Sequence, residues 1–214
     1  MKLHAEQMRL YAVTDRAWAA DEEAFWDQVR AAIAGGAAVV QLREKHLAED
    51  AFLAEAERFV ALCREAGVVS IINDNVDIAV KTGADGVHVG QEDLAAGRAR
   101  ELLGPDKIIG VSAHNAEEAR AAQAAGADYL GAGAAFVTGT KTDAKPISRE
   151  TIRAVTAAVD IPVVAIGGIT LDDLPTLTAC GVKGIAISGS ILRAPDPVEA
   201  MHRFVQALRT SHVI

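Results

Sequence analysis

The chain is poor in the features that would take it out of a reducing, aqueous compartment. It has only two cysteines, Cys63 and Cys180, with no metal or redox spacing between them. That leaves two reduced and mostly buried thiols. Basic residues are in deficit, 21 against 29 acidic, for a net charge of -8, and no Lys/Arg-rich run interrupts the balance. Nucleic acid and anionic membrane surfaces both need a positive face, so neither is an expected partner. Long apolar runs are missing too. The longest, 31–40, contains two glycines and falls far short of the ~20 residues that span a bilayer. Residues 1–9 mix charges and lack the apolar stretch of a signal peptide, so a cytoplasmic protein is expected. Aromatics are scarce at 4%.

What is abundant is small and branched aliphatic side chain. Half the residues are hydrophobic, and Ala, Val, Ile and Leu dominate, as in parallel strands packed under helices. Short β-rich runs at 10–14, 39–42, 69–72, 87–89, 108–111, 129–132, 163–166 and 185–188 alternate with stretches such as 52–66, 116–125 and 152–159. The latter carry apolar residues at helical spacing. A glycine-led echo precedes each even-numbered strand: Gly36-Ala37-Ala38, Gly83-Ala84-Asp85, Gly126-Ala127-Asp128 and Gly181-Val182-Lys183. Each glycine is placed to cap the preceding helix in the left-handed conformation. Eight βα alternations without a linker predict one (β/α)8 TIM barrel over residues 1–214. The rival, an open doubly wound sheet, usually opens on a Gly-x-Gly-x-x-Gly turn. Thr14-Asp15-Arg16-Ala17 follows the first strand instead.

In such a barrel the chemistry gathers where strands end. Beyond strand 2, Gln41-Leu42-Arg43-Glu44-Lys45 alternates so as to aim Gln41, Arg43 and Lys45 at the mouth, Arg as a phosphate fork and Lys as a point charge. Beyond strand 3 stand Asn73 and Asp74, and beyond strand 4 Asp93. Paired carboxylates beside cations, without a His/Cys cluster, suit Mg2+; capping the next helix is the alternative role for Asp74. Ser112, beyond strand 5, suits a hydrogen bond to a heterocycle. Thr138-Gly139-Thr140-Lys141 forms a candidate phosphate loop beyond strand 6. Beyond strands 7 and 8, Gly167-Gly168-Ile169-Thr170 and Ser188-Gly189-Ser190 supply glycines over which a phosphate can approach backbone N–H groups. Thr170 and Asp173 are spaced to start a helix as a capping-box variant.

These pieces, in order, resemble the thiamine-phosphate synthase family. The match runs from Leu10-Tyr11-Ala12-Val13-Thr14-Asp15 through the Gln41–Lys45 segment, Ile72-Asn73-Asp74, the stretch from Gly83 to Leu94, Gly110-Val111-Ser112, Thr138 to Lys141 and Ile166-Gly167-Gly168-Ile169, to Ser188-Gly189. The resemblance implies a Mg2+-requiring transferase that joins a hydroxymethylpyrimidine diphosphate to a hydroxyethylthiazole phosphate, releasing pyrophosphate. It assigns Gln41, Leu42, Arg43, Glu44, Lys45, Asn73, Ser112 and Lys141 to the pyrimidine diphosphate, with Arg43, Ser112 and Lys141 serving the chemistry. It assigns Asp74 and Asp93 to the metal, and Thr138, Gly139, Thr140, Gly168, Ser188 and Gly189 to the thiazole phosphate. The implied mechanism is dissociative: pyrophosphate leaves, and the thiazole nitrogen captures a pyrimidinylmethyl cation. Two stretches depart from the family's usual pattern. Gly133-Ala134 and Phe136-Val137 stand where Gly-Pro and Phe-Pro are usual, and Ser188-Gly189-Ser190-Ile191 where Val-Ser-Ala-Ile is usual. A thiazole tautomerase-like paralogue would not need Arg43, Lys45, Asn73, Asp74, Asp93 and Lys141 together, and a Schiff-base aldolase would need a buried lysine at a strand end. A non-catalytic ligand-binding barrel would keep both sites and leave both ligands unchanged. The sequence leaves room for a homo-oligomer.

Overall fold

A computed structural model describes residues 8–91, 96–136 and 146–210. Eight parallel strands close into a barrel in chain order, β1 (Leu10–Val13), β2 (Val39–Leu42), β3 (Val69–Asn73), β4 (Gly86–Val89), β5 (Ile108–Ala113), β6 (Tyr129–Ala132), β7 (Val163–Ile166) and β8 (Gly184–Ile187), with β8 pairing back onto β1. All eight expected strands are present. Strands β3 and β5 run further than expected, which puts Asn73 and Ser112 inside strands rather than beyond them.

The two faces of each strand carry different cores. Leu10, Val40, Leu42, Ile72, Val87 and Leu130 face outward into the layer beneath the helices. Tyr11, Val39, Ile71, Ile108, Tyr129 and Val164 fill the barrel's interior, joined by Met8 ahead of β1. This is the period-two alternation of a strand buried on both sides.

The outer ring comprises α1 (Glu22–Ala34), α2 (Glu49–Ala66), α3 (Val76–Thr82), α4 (Ala96–Leu103), α5 (Ala116–Ala124), α6 (Arg149–Ala157), α7 (Leu174–Thr178), α8 (Gly189–Leu192) and α9 (Pro197–Thr210). In α2 the buried Phe52, Ala56, Phe59, Val60 and Cys63 recur at helical spacing and form the stripe that meets the barrel. Side-chain caps start several helices: Asp21 accepts from Ala24 N, Asn115 from Glu118 N and Ser148 from Thr151 N. Gly36, Gly83, Gly126 and Gly181 all have positive φ, as the echoes predicted. Both cysteines are free and buried; burial, with a smaller contribution from Asp85, pushes the Cys63 thiol up to about 12. Among the described residues no helix is long and apolar enough to cross a membrane.

Candidate active site

Because all eight strands run the same way, their C-terminal ends share one rim, and a cavity of about 240 Å³ opens there. Its floor is a continuous chain of side-chain hydrogen bonds contributed by five strands. Gln41 Nε2 donates to Tyr11 Oη at 2.7 Å, and the Tyr11 and Tyr129 hydroxyls lie 2.8 Å apart. Tyr129 Oη is 2.9 Å from His88 Nδ1, and His88 Nε2 is 3.1 Å from Ser112 Oγ. With the Gln41 amide donating, one direction lets every member donate along the chain: Tyr11 to Tyr129, Tyr129 to His88 Nδ1 and His88 Nε2 to Ser112. In that arrangement the Ser112 hydroxyl proton is left for a ligand. Burial holds both phenols above their ordinary range, so they stay neutral hydroxyls. A Cβ on Gly110 would overlap the Tyr129 ring, so glycine there makes room for the floor.

The rim is built from loops. Arg43 leaves β2 with its backbone N–H held by Thr14 Oγ1 at 3.0 Å, and its side chain lines the cavity. Asn73 also lines it and donates from Nδ2 to Asp74 Oδ2 at 2.6 Å. Asp74 is held at φ 64°, a conformation that costs energy in a residue with a side chain and that clusters at functional sites. The cap of α3 is Asn75, which accepts from Ile78 N, so capping does not explain Asp74. Past β7, Gly167 and Gly168 have φ of 105° and 61°, and Thr170 donates to Asp173 Oδ2 from both N and Oγ1 at 2.9 and 2.7 Å. Past β8, Ser190 Oγ donates to Ile169 O at 2.6 Å and ties the loops past β7 and β8 together. Gly133 and Ala134, at the first departure from the family pattern, line the same cavity, and the peptide between them is cis.

The cavity thus gathers Gln41, Arg43, Asn73, Ser112, Gly168, Ser188 and Gly189. It does not gather the whole second segment. Leu42 is fully buried in the outer layer. Glu44 turns away to pair with Arg16 Nε at 3.0 Å. Lys45 is exposed and does not line the cavity. The expected alternation past Gln41 needs extended backbone, and β2 ends at Leu42, so the alternation reaches Arg43 and not Lys45. What this segment offers a ligand is Gln41, Arg43 and backbone. Asp74 stands beside the lining residue Asn73 without lining the cavity itself. Asp93, Thr138, Gly139, Thr140 and Lys141 lie outside the described residues.

Behind the β1–β2 side, Arg16 meets three carboxylates, Glu22, Glu44 and Glu55. Burial first, and the neighbouring Glu44 charge second, push the Glu55 carboxyl up to about 8, against the pull of Arg16.

Sequence reasoning assigned no role to Tyr11, His88, Tyr129, Trp18 or Arg193, all of which line the cavity. The first three had a signal: polar side chains at inward positions of strands. The last two had none, since Trp18 belongs to a short turn after β1 (Arg16–Trp18) and Arg193 follows α8.

Fold and rim together define a phosphate-handling (β/α)8 barrel enzyme, with glycine loops past β7 and β8 and a guanidinium beyond β2. A family profile described as Thiamine monophosphate synthase matches residues 10–191, and the chain belongs to this family. It is 48% identical to a thiamine-phosphate synthase of Moorella thermoacetica over 82% of this chain and 84% of that one. To that of Methanobrevibacter smithii it is 40% identical over 96% and 97%. The solved thiamine phosphate pyrophosphorylase from Pyrococcus furiosus superposes with a TM-score of 0.87 at 36% identity, covering 97% of this chain and 98% of that one.

Proposed function

We infer that this chain is a transferase of thiamine biosynthesis, a thiamine-phosphate synthase. It joins hydroxymethylpyrimidine diphosphate to hydroxyethylthiazole phosphate and yields thiamine phosphate and pyrophosphate. The observation that carries this reading is convergence. Seven residues scattered from Gln41 to Gly189 meet in one cavity, in a chain that belongs to the family.

In the reaction the bond between the pyrimidine's methylene carbon and the diphosphate oxygen breaks, its electron pair leaving with pyrophosphate. The thiazole nitrogen supplies the pair for the new carbon–nitrogen bond. No protein nucleophile is required. The protein's task is to hold two rings in line and to stabilise the departing charge. At the two ends of the floor chain, Gln41 and Ser112 hold the pyrimidine, Gln41 through its carbonyl and Ser112 through its free proton. Arg43 forks onto the diphosphate, and Lys141 follows the charge onto the leaving group. Thr138, Gly139 and Thr140, with the loops that carry Gly168 and Ser188-Gly189, take the thiazole phosphate.

The donor set fits Mg2+. Asp74 offers a hard carboxylate beside the cavity, oriented by Asn73, and Mg2+ is characteristically held by one or two carboxylates plus substrate phosphates. Asp74 and Asp93 would hold the ion, which would neutralise diphosphate charge when bound. The two free thiols suit a reducing compartment, and we place the enzyme in the cytoplasm.

Incubation with both substrates and Mg2+ tests the reading: thiamine phosphate should accumulate with one pyrophosphate released per product. Binding of both substrates without product would mean a non-catalytic barrel.

A further inference from the structure

The cavity rim holds donors that the protein itself does not satisfy. Among the described residues, Trp18 Nε1 and Ser188 Oγ are buried without a hydrogen-bond partner. Both residues line the cavity. Buried polar groups are almost always paired, because leaving one unmade forfeits its solvation with no return. An indole N–H is a donor only, so nothing but an acceptor can complete it.

Three further observations say what kind of acceptor. The Arg193 guanidinium lies 4.8 Å above the Trp18 ring, and its Nε donates to Gly189 O at 3.1 Å, so the charge is fixed beside the indole. Arg43 and Arg193 are the guanidinium groups that line the cavity among the described residues. They stand past β2 and past β8 with β1 between, one for each end of a cavity that must take two anionic groups. Finally, a Cβ at Gly189 would lie 3.4 Å from Arg193 Nε and 3.6 Å from Trp18 Nε1. Glycine at this position leaves the space beside the indole N–H free of side chain, where the family's usual serine would put a methylene in van der Waals contact with it.

We propose that Trp18 and Arg193 belong to the monophosphate site past β8. The Trp18 indole N–H donates to a phosphate oxygen, and Arg193, stacked on the same ring, supplies the positive charge. The proposal rests on the reading above that the thiazole phosphate occupies this end of the cavity. It also gives the second departure from the family pattern, Ser188-Gly189-Ser190, a physical role. Ser188 adds an unpaired hydroxyl, Gly189 clears the approach, and Ser190 ties the loops.

The chain has two tryptophans, so proton–nitrogen correlation spectra contain two indole signals. Trp26 Nε1 already donates to Glu22 Oε1 at 2.8 Å and serves as the internal reference. Titrating in the thiazole phosphate should move the Trp18 indole proton downfield, saturating at the Kd that calorimetry gives, while the Trp26 signal stays. The unphosphorylated thiazole alcohol should bind without that shift. Trp18→Phe, which keeps the ring, and Arg193→Gln should each weaken thiazole phosphate binding roughly tenfold, as expected for one charge-assisted hydrogen bond. Both should leave affinity for the thiazole alcohol and the pyrimidine diphosphate unchanged. If the thiazole phosphate binds the parent while the Trp18 signal stays put, or if both variants bind it as the parent does, the proposal is wrong and the assigned reaction stands. If it does not bind the parent at all, both fall.

Discussion

The floor of the cavity and its rim from β8 through β1 to β2 are made of similar groups and behave in opposite ways. On the floor, Tyr11, Tyr129 and His88 answer one another's hydrogen bonds between Gln41 and Ser112. On the rim, Trp18 Nε1, Arg43 Nε and Ser188 Oγ are buried with no partner among the described residues. A paired network contributes to the fold whether or not a ligand is present, and it fixes one arrangement of rings. An unpaired buried donor costs the fold its lost solvation until a ligand arrives. The floor is therefore structure put to use as shape, and the rim, in the proposed reading, is binding capacity held in reserve.

The largest effect should come from the lysine proposed to act on the departing charge. Lys141→Ala should lower the single-turnover rate of thiamine phosphate formation by about 10²–10³, the usual loss for one transition-state electrostatic contact, with a smaller loss in pyrimidine diphosphate affinity. A rate within a few-fold of the parent would make Lys141 a solvated loop residue. Next come two rim substitutions that should separate the phosphate sites. Arg43→Ala should weaken pyrimidine diphosphate roughly 10- to 100-fold and thiazole phosphate little. Gly168→Val should do the reverse, since a branched side chain at φ 61° strains the loop and fills its approach. Equal losses for both ligands in both variants, by calorimetry, would mean the sites are wrongly mapped. Asp93→Ala should raise the Mg2+ concentration needed for half-maximal rate, and an unchanged rate at limiting Mg2+ would remove it from the metal site.

The smallest effect lies outside the cavity. In the folded protein Glu55 binds its proton more tightly than an ordinary carboxyl, up to about 8 against 4.5. The stability this contributes is fully present below about pH 4.5 and is lost as pH rises through about 8. The urea midpoint should therefore slope downward across that window, and Glu55→Gln, neutral throughout, should flatten the slope. Parallel slopes for parent and variant would show that Arg16 keeps Glu55 ionised.

Much of the barrel was legible in the sequence because each strand is a short aliphatic run and most of the helices that lead into a strand end on a glycine, and no turn chemistry competed with that period. The site was legible where strand alternation still held. Gln41, Arg43, Asn73 and Ser112 reach the cavity because they sit in or next to extended backbone. Lys45 does not, because β2 has already ended, and Glu44 was claimed by Arg16 from another loop. Tyr11 and Tyr129 could pass for ordinary core aromatics; only the register, which brings β1, β2 and β4 to β6 to one level, reveals their hydroxyls as a chain. Trp18 and Arg193 are adjacent only through the closure of β8 onto β1, a contact that no local pattern encodes.

The central claim, that floor groups hold the fold and rim groups await ligand, is tested most directly by unfolding three ligand-free proteins in urea: the parent, Tyr129→Phe and Ser188→Ala. Tyr129→Phe removes the hydroxyl that bonds Tyr11 Oη and His88 Nδ1 and should cost about 1–3 kcal/mol. Ser188→Ala removes a buried hydroxyl that had no partner and should leave the stability unchanged or slightly raised. Equal losses in the two variants would contradict the account, because Ser188 would then be paired within the fold rather than held for a phosphate.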